Sequence, residues 1–294
     1  MQIVPDSGAD ISPAQRQGIE VHSVPLVITL DEKSYRSGID IQPEEFYQML
    51  DNTKSFPTTS QPSPAEFADL YRLIAANDPD ILSIHISSGL SGTLNAARLG
   101  ATMVPEANVT FVDTKTLSGG EGWQVEAAAR ALQLGWPLER ILAAVQKIGA
   151  ASDVIYTLAT LRYLIHGGRI SHMRGLIGQL LDVKPAIGVD KATDGKYAQR
   201  GSARTLSKAI KMLPDLIARQ HEPGTPLRAQ IVHGHNPEGV AQLTEAMEAK
   251  FPIRWVPTMP VAPVLGAHTG PGLIGVGYGA LADYADVDEL QRYE

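Results

Sequence analysis

The run Ser87-Ser88-Gly89-Leu90-Ser91-Gly92-Thr93 follows an apolar stretch with strand character and precedes an alanine- and leucine-rich stretch with helical character. Ligands of open α/β sheets collect at such strand ends. Two glycines let the backbone approach a ligand, a helix start offers free N–H groups, and Ser91 adds a hydroxyl, so the run has the parts of an anion pocket. Serine there also serves as an ordinary helix cap, and on this segment alone both readings stand. Three further runs carry similar potential. Thr58-Thr59-Ser60-Gln61-Pro62-Ser63 gathers hydroxyls and an amide ahead of Pro64, either to meet one ligand group or to cap the next helix. Gly167-Gly168-Arg169 would close a short helix on a left-handed glycine and place a planar guanidinium just beyond it. Gly266-Ala267-His268-Thr269-Gly270-Pro271-Gly272 reads as a glycine-rich turn that brings one imidazole into a pocket or bonds it to nearby backbone.

Other chemistries fit these runs less well. The serine turn lacks both the Gly-Lys-Ser/Thr ending of a P-loop and the spacing of a dinucleotide fingerprint. A serine hydrolase using Ser91 as nucleophile and His268 as base is the alternative reading, although Gly89-Leu90-Ser91-Gly92 is not the G-x-S-x-G elbow. A small-anion sensor is a third. His233-Gly234-His235 has no acid or further histidine at ligand spacing in sequence, so no metal site is expected.

The elements that must position these residues alternate between short apolar runs and longer helical patterns, the form of βαβ units with a mostly parallel sheet. Strands are expected at 81–86 and 109–112, and helices at 93–104 and 122–134, with Ser118-Gly119-Gly120 breaking the chain between the second pair. Helices starting on proline are expected at 43–50 and 64–76, with 52–63 a loop between them. Beyond about Asp153 glycine and proline become denser. Strands are expected there at 183–189, 227–232, 253–256 and 274–277, and helices at 204–219 and 237–250. The expected fold is α/β with two domains, 1–153 carrying a mostly parallel, Rossmann-like sheet flanked by helices and 154–294 a second α/β domain.

Bulk properties agree. A chain of 294 residues exceeds the length at which one core keeps growing. A net charge of −7 argues against a nucleic-acid partner. With no cysteine the chain has no disulfide, thiolate metal site or cysteine nucleophile, which fits a reducing compartment; the cytoplasm is expected. The first ten residues show no basic segment followed by an apolar one, so no signal peptide is expected. No apolar run reaches the roughly 18 residues of a membrane span.

Taken in order, the motifs resemble the DegV family of fatty-acid-binding proteins. Val4-Pro5-Asp6-Ser7-Gly8-Ala9-Asp10-Ile11 resembles its opening strand and turn, and Val24-Pro25-Leu26, Tyr35-Arg36-Ser37-Gly38-Ile39-Asp40 and Thr59-Ser60-Gln61-Pro62-Ser63 follow. The Ile86 to Thr93 and Leu164 to Ile170 runs, Lys184-Pro185, His233-Gly234, Asn236-Pro237 and Gly266 to Gly272 complete a likeness over nearly the whole chain. Pro5 stands where the family usually has threonine, and His235 where it has a small or acidic residue.

The resemblance implies a non-enzymatic carrier, without cofactor or metal, that holds a long-chain fatty acid between two domains. Its carboxylate would be held by Thr59, Ser91, Arg169 and His268, supported by Ser60, Gly92, Thr93 and Gly270, with Arg169 or a protonated His268 supplying the positive charge. It also implies a possible role as the carrier subunit of bacterial fatty acid kinase, presenting the acid to a separate catalytic subunit for acyl-phosphate formation in phospholipid synthesis. From Lys184 to Lys211 seven basic residues face two acidic ones. Arg204, Lys208 and Lys211 would share a helical face, so Arg200, Arg204 and Lys208 are the expected partner-docking residues; an ordinary solvated face is the other reading of that cluster.

Overall fold

The computed structural model describes residues 1–171, 173 and 183–284. Residues 172, 174–182 and 285–294 of the expected second domain lie outside them. Twelve strands are described: β1 (Gln2–Pro5), β2 (Val27–Leu30), β3 (Lys33–Arg36), β4 (Thr58–Ser60), β5 (Asp80–His85), β6 (Asn108–Asp113), β7 (Asp153–Thr157), β8 (Lys184–Asp190), β9 (Lys196–Ala203), β10 (Leu227–His233), β11 (Ile253–Pro260) and β12 (Ile274–Ala280). The described α-helices are α1 (Pro13–Arg16), α2 (Pro43–Asn52), α3 (Pro64–Ala75), α4 (Thr93–Ala101), α5 (Ser118–Gln133), α6 (Leu138–Ala151), α7 (Arg162–His166), α8 (Leu206–Ile217), α9 (Pro237–Glu248) and α10 (Pro263–Thr269).

Three sheets result. The first, β1-β5-β6, is wholly parallel, with Gln2 opposite Ile81 and Ile81 opposite Val109. This is the parallel sheet expected of the N-terminal part. The second has the order β11-β10-β12-β7-β8-β9. Only its β10–β11 pair is parallel, so the parallel pattern does not extend to the C-terminal part. The third is the small antiparallel sheet β3-β2-β4. Strands β2, β3, β7 and β9 lie where no strand was expected.

Helix α5 is the hub between the two larger sheets. It is buried from Ser118 to Ala129 without a break, so no face is left for water, as expected of a helix packed on all sides. Ser118-Gly119-Gly120, expected to break the chain, instead begins this helix, where a Cβ on Gly119 would fall 2.9 Å from Gln230 Oε1 and one on Gly120 2.8 Å from Thr116 Oγ1. A Cβ on Gly122 would fall 2.1 Å from the Asp10 carbonyl oxygen. Trp123 Nε1 donates to Gln230 Oε1 of β10 at 2.8 Å, and Gln230 Nε2 donates to Gln15 Oε1 at 2.9 Å. These fully buried polar groups all find partners, as they must.

Helix α3 starts as its sequence indicates. Ser63 accepts from the Glu66 N–H, Glu66 returns a bond to the Ser63 N–H, and Pro64 occupies the first turn. Two expectations change. Thr58–Ser60 is not loop but the edge strand β4, with Thr59 opposite Ile28 of β2. His268 is not in a turn but in the last turn of α10, which starts on Pro263 and ends at Gly270 with φ +71°.

Candidate functional site

Thr59 and His268, 209 residues apart, meet: Thr59 Oγ1 and His268 Nε2 lie 2.7 Å apart. The β2 pairing turns Thr59 toward α10, and α10 carries His268 up to it. His268 is 8% exposed, and its Nδ1 has no hydrogen-bond partner among the described residues. Burial, aided by the Arg169 guanidinium, pulls the His268 pKa from 6.5 down to about 3. The imidazole is therefore neutral at pH 7, which corrects the expectation that a protonated His268 could supply charge. Arg169 is left as the cation.

Gly167 joins the two halves of the site. A Cβ placed on it would fall 2.1 Å from His268 Nδ1, so its bare Cα lies directly against the ring. Its carbonyl accepts from Arg169 Nη1 at 2.7 Å. The chain turns away at Gly168, whose φ of +73° is the left-handed conformation that glycine takes without strain. As expected, α7 thus closes on glycine and releases Arg169.

Gly167, Gly168 and Arg169 then line a cavity of about 340 Å³ whose opposite wall is Ser88 to Gly92. Ser91 Oγ lies 2.8 Å from Thr93 Oγ1 and accepts from the Thr93 N–H at 3.3 Å, at the start of α4. Ser91 is not the helix cap, a position that Gly92 holds without a side-chain bond; its hydroxyl holds the Thr93 N–H just ahead of the helix and belongs to a residue that lines the cavity. Gly92 has the Gln61 side chain so close that a Cβ would fall 2.4 Å from Gln61 Oε1, which brings the Thr59 strand up to the Ser91 turn.

Of the four expected carboxylate residues, Ser91 and Arg169 line the cavity, while Thr59 and His268 pair with each other and join that lining through Gly167, whose Cα lies against the His268 ring. Of the supporting residues, Thr93 is fully buried and bonded to Ser91, and Gly92 is the α4 N-cap. Gly270 packs so tightly on Tyr163 that a Cβ would meet the ring at 2.2 Å. Ser60 is exposed at the end of β4. Sequence reasoning did not single out Gly167 as a contact or the aromatic support behind it, where the Phe56 ring lies 5.2 Å from Tyr163 and 4.9 Å from His166. It also missed the tip of the β8–β9 region: Ser87 Oγ donates to the Gly195 carbonyl at 2.9 Å, fixing the serine turn from the far side.

The hydrolase arrangement is absent. Ser91 Oγ is bonded to Thr93 and His268 Nε2 to Thr59, and no carboxylate orients His268 Nδ1 among the described residues. No group of acids and histidines suited to a metal ion occurs among the described residues. No helix among them is long and apolar enough to cross a membrane.

The basic cluster is rearranged. Helix α8 begins at Leu206 with Thr205 as its cap, so Arg204 precedes the helix and does not share a face with Lys208 and Lys211. All three side chains are exposed, as is Arg200, whose guanidinium donates to the Val189 carbonyl at 3.1 Å.

Comparison with known proteins agrees with this architecture. A family model described as "Uncharacterised protein, DegV family" matches residues 1–280. A DegV domain-containing protein of Deinococcus radiodurans is 36% identical over 274 residues, 93% of each chain. A fatty-acid-binding DegV family protein from Thermus thermophilus superposes with a TM-score of 0.85 at 33% identity, covering 95% of this chain and 99% of that one. The Streptococcus pneumoniae fatty acid kinase B3 protein, loaded with linoleic acid, shares the fold with a TM-score of 0.80 at 20% identity over 95% and 99% of the two chains. The chain belongs to the DegV family.

Proposed function

We propose that this protein is a fatty-acid carrier, gripping the carboxylate with Thr59, Ser91, Arg169 and His268 and burying the acyl chain in the adjoining apolar core. The observation that supports this reading is the pairing of Thr59 with His268 against Gly167, which together with Ser91 and Arg169 lines a cavity of about 340 Å³ next to the largest cluster of buried apolar residues. That cluster draws Ile28 from β2, Phe46 from α2, Leu164 from α7, Ile187 from β8 and Leu265 from α10. A chain threaded among them would leave water completely, at about 0.8 kcal/mol per methylene. A buried carboxylate needs hydrogen bonds and a matching charge. Thr59 and Ser91 supply hydroxyls and Arg169 the charge, each charged bond contributing ~1.5–3 kcal/mol. The neutral His268 donates from one ring nitrogen.

In this reading the chain divides near Asp153 into domains 1–153 and 154–294, with the lipid between them. The protein works in the cytoplasm, catalyses nothing itself, and presents the acid to a fatty acid kinase that docks on Arg200, Arg204 and Lys208. The fatty acid reported for the Thermus thermophilus relative supports the ligand class. The test is mass spectrometry of lipid extracted from the denatured purified protein. One fatty acid per chain is expected; a lipid-free protein that also fails to take up added fatty acid would overturn the reading.

A further inference from the structure

Three of the motif runs take no part in the carboxylate site. Ser7 and Asp10, Pro25, and Ser37 and Ile39 belong to those runs, and all five line a separate cleft of about 560 Å³. Helix α1, the turn between β3 and α2, and the junction of β11 with α10 enclose it. The cleft opens at Pro263, the first residue of α10, whereas His268 lies five residues further, about 8 Å along the helix axis. The two sites are distinct, and this inference does not depend on the lipid reading.

The cleft has the size and mixed lining of a small-molecule site. Its floor is Asp10, 2% exposed, whose Oδ1 accepts the Ala262 N–H at 2.8 Å and whose Oδ2 accepts from Ser118 Oγ at 2.5 Å. Ser37 Oγ, also buried, accepts the Val264 N–H at 3.3 Å and keeps its hydroxyl proton for another partner. Two opposite charges stand at the rim, Arg16 on α1 and Glu44 in the first turn of α2. Arg16 donates from Nε to the Ile11 carbonyl and its charge acts on Asp10, while the Glu44 charge acts on His233. Pro25, Met259 and Ile39, the last an isoleucine left 54% exposed, line the same cleft.

A planar guanidinium suits a carboxylate, a carboxylate suits an ammonium group, and the apolar lining suits a hydrocarbon side chain. We propose that this cleft binds an α-amino carboxylate with an apolar side chain, a free amino acid or short peptide, its carboxylate on Arg16 and its ammonium on Glu44. Either charge alone would satisfy only half of the rim.

Isothermal titration of the protein as purified, with leucine, phenylalanine and the Leu-Leu dipeptide, tests this. Hexanoate and hexylamine serve as single-charge controls. At least one zwitterion is expected to bind more tightly than both controls, and Arg16→Gln and Glu44→Gln are each expected to weaken it about tenfold or more. Both side chains are exposed and outside the carboxylate site, so the variants should keep the wild-type melting temperature and lipid content, read on the same samples. No binding by any of the three zwitterions, equal binding by a single-charge control, or binding untouched by both substitutions would each overturn the assignment.

Discussion

Replacing Gly167 with alanine isolates the contact on which the proposed carboxylate site turns. Gly167 has φ −71° and ψ −4°, a conformation alanine adopts freely, so the backbone costs nothing. The added methyl would lie 2.1 Å from His268 Nδ1 and 2.7 Å from its Cε1, against an ordinary carbon contact of roughly 3.5–4.0 Å. The ring must retreat by more than an ångström, which breaks its 2.7 Å bond to Thr59. A buried imidazole and hydroxyl that lose each other forfeit ~1–3 kcal/mol. At roughly 2–4 °C per kcal/mol for a chain of this size, the melting temperature should drop by roughly 2–12 °C. Fatty-acid affinity should fall by about tenfold or more, since two of its four polar partners are displaced. Gly168→Ala is the matched control. Its φ of +73° makes it cost ~1–2 kcal/mol in backbone strain, but no atom lies within 4 Å of the new methyl, so affinity should hold. Fluorescent fatty-acid displacement and thermal melts on the pair decide the matter. A Gly167→Ala protein with wild-type affinity would refute the packing argument and remove His268 from the site.

Arg169→Gln should weaken binding of a fatty acid by about ten- to hundredfold while leaving the corresponding fatty alcohol unaffected, because only the ionised head needs the guanidinium; equal losses for both ligands would assign Arg169 to folding instead. Reversing charge at Arg204 and Lys208 together should abolish phosphorylation of the bound acid by a partner kinase and spare lipid retention, both side chains being exposed; unchanged coupling in a reconstituted assay would move the docking surface elsewhere. Asp10 carries a pH signature. Burial raises its pKa from 3.8 to about 7, against lowering by Ser118, the Ala262 N–H and Arg16. The folded protein thus holds a proton that the unfolded chain has released, so this contribution is present below pH 3.8 and is lost as pH rises through 7, to about 4 kcal/mol. Buried Glu121, also raised, acts in the same direction and persists in Asp10→Asn. Chemical denaturation at pH 5 and 8 should therefore show a smaller stability loss in Asp10→Asn than in wild type, and parallel losses would contradict the assignment.

What could be read in the sequence was local. The Ser87 to Thr93 turn and α4 are encoded by neighbours, as are the Ser63 capping box and the left-handed Gly168. Strand β4 was missed because three residues, two of them threonines after a proline, take strand form only through their pairing with β2, where Thr59 meets Ile28 far back in the chain. Helix α10 carried a start signal at Pro263 and a stop at Gly270. The intervening Gly266, which argues for a turn in isolation, is there because a Cβ would fall 2.7 Å from the Tyr47 hydroxyl oxygen.

The same distinction explains the electrostatics of the site. Histidine in a loop beside glycines titrates near neutrality, and a charge on His268 was a fair expectation from its neighbours in sequence. Its actual state is set by residues remote from it: β4 covers one face, Gly167 closes against Nδ1, and Arg169 adds a like charge. A cation facing another cation in an apolar enclosure is the less stable choice. The site therefore assigns charge to the residue that cannot lose it, the arginine, and hydrogen bonding to the one that can. In the proposed carboxylate site an arriving carboxylate meets the arginine's charge beside an imidazole that is neutral before it binds, and its affinity should follow the ionisation of the ligand itself.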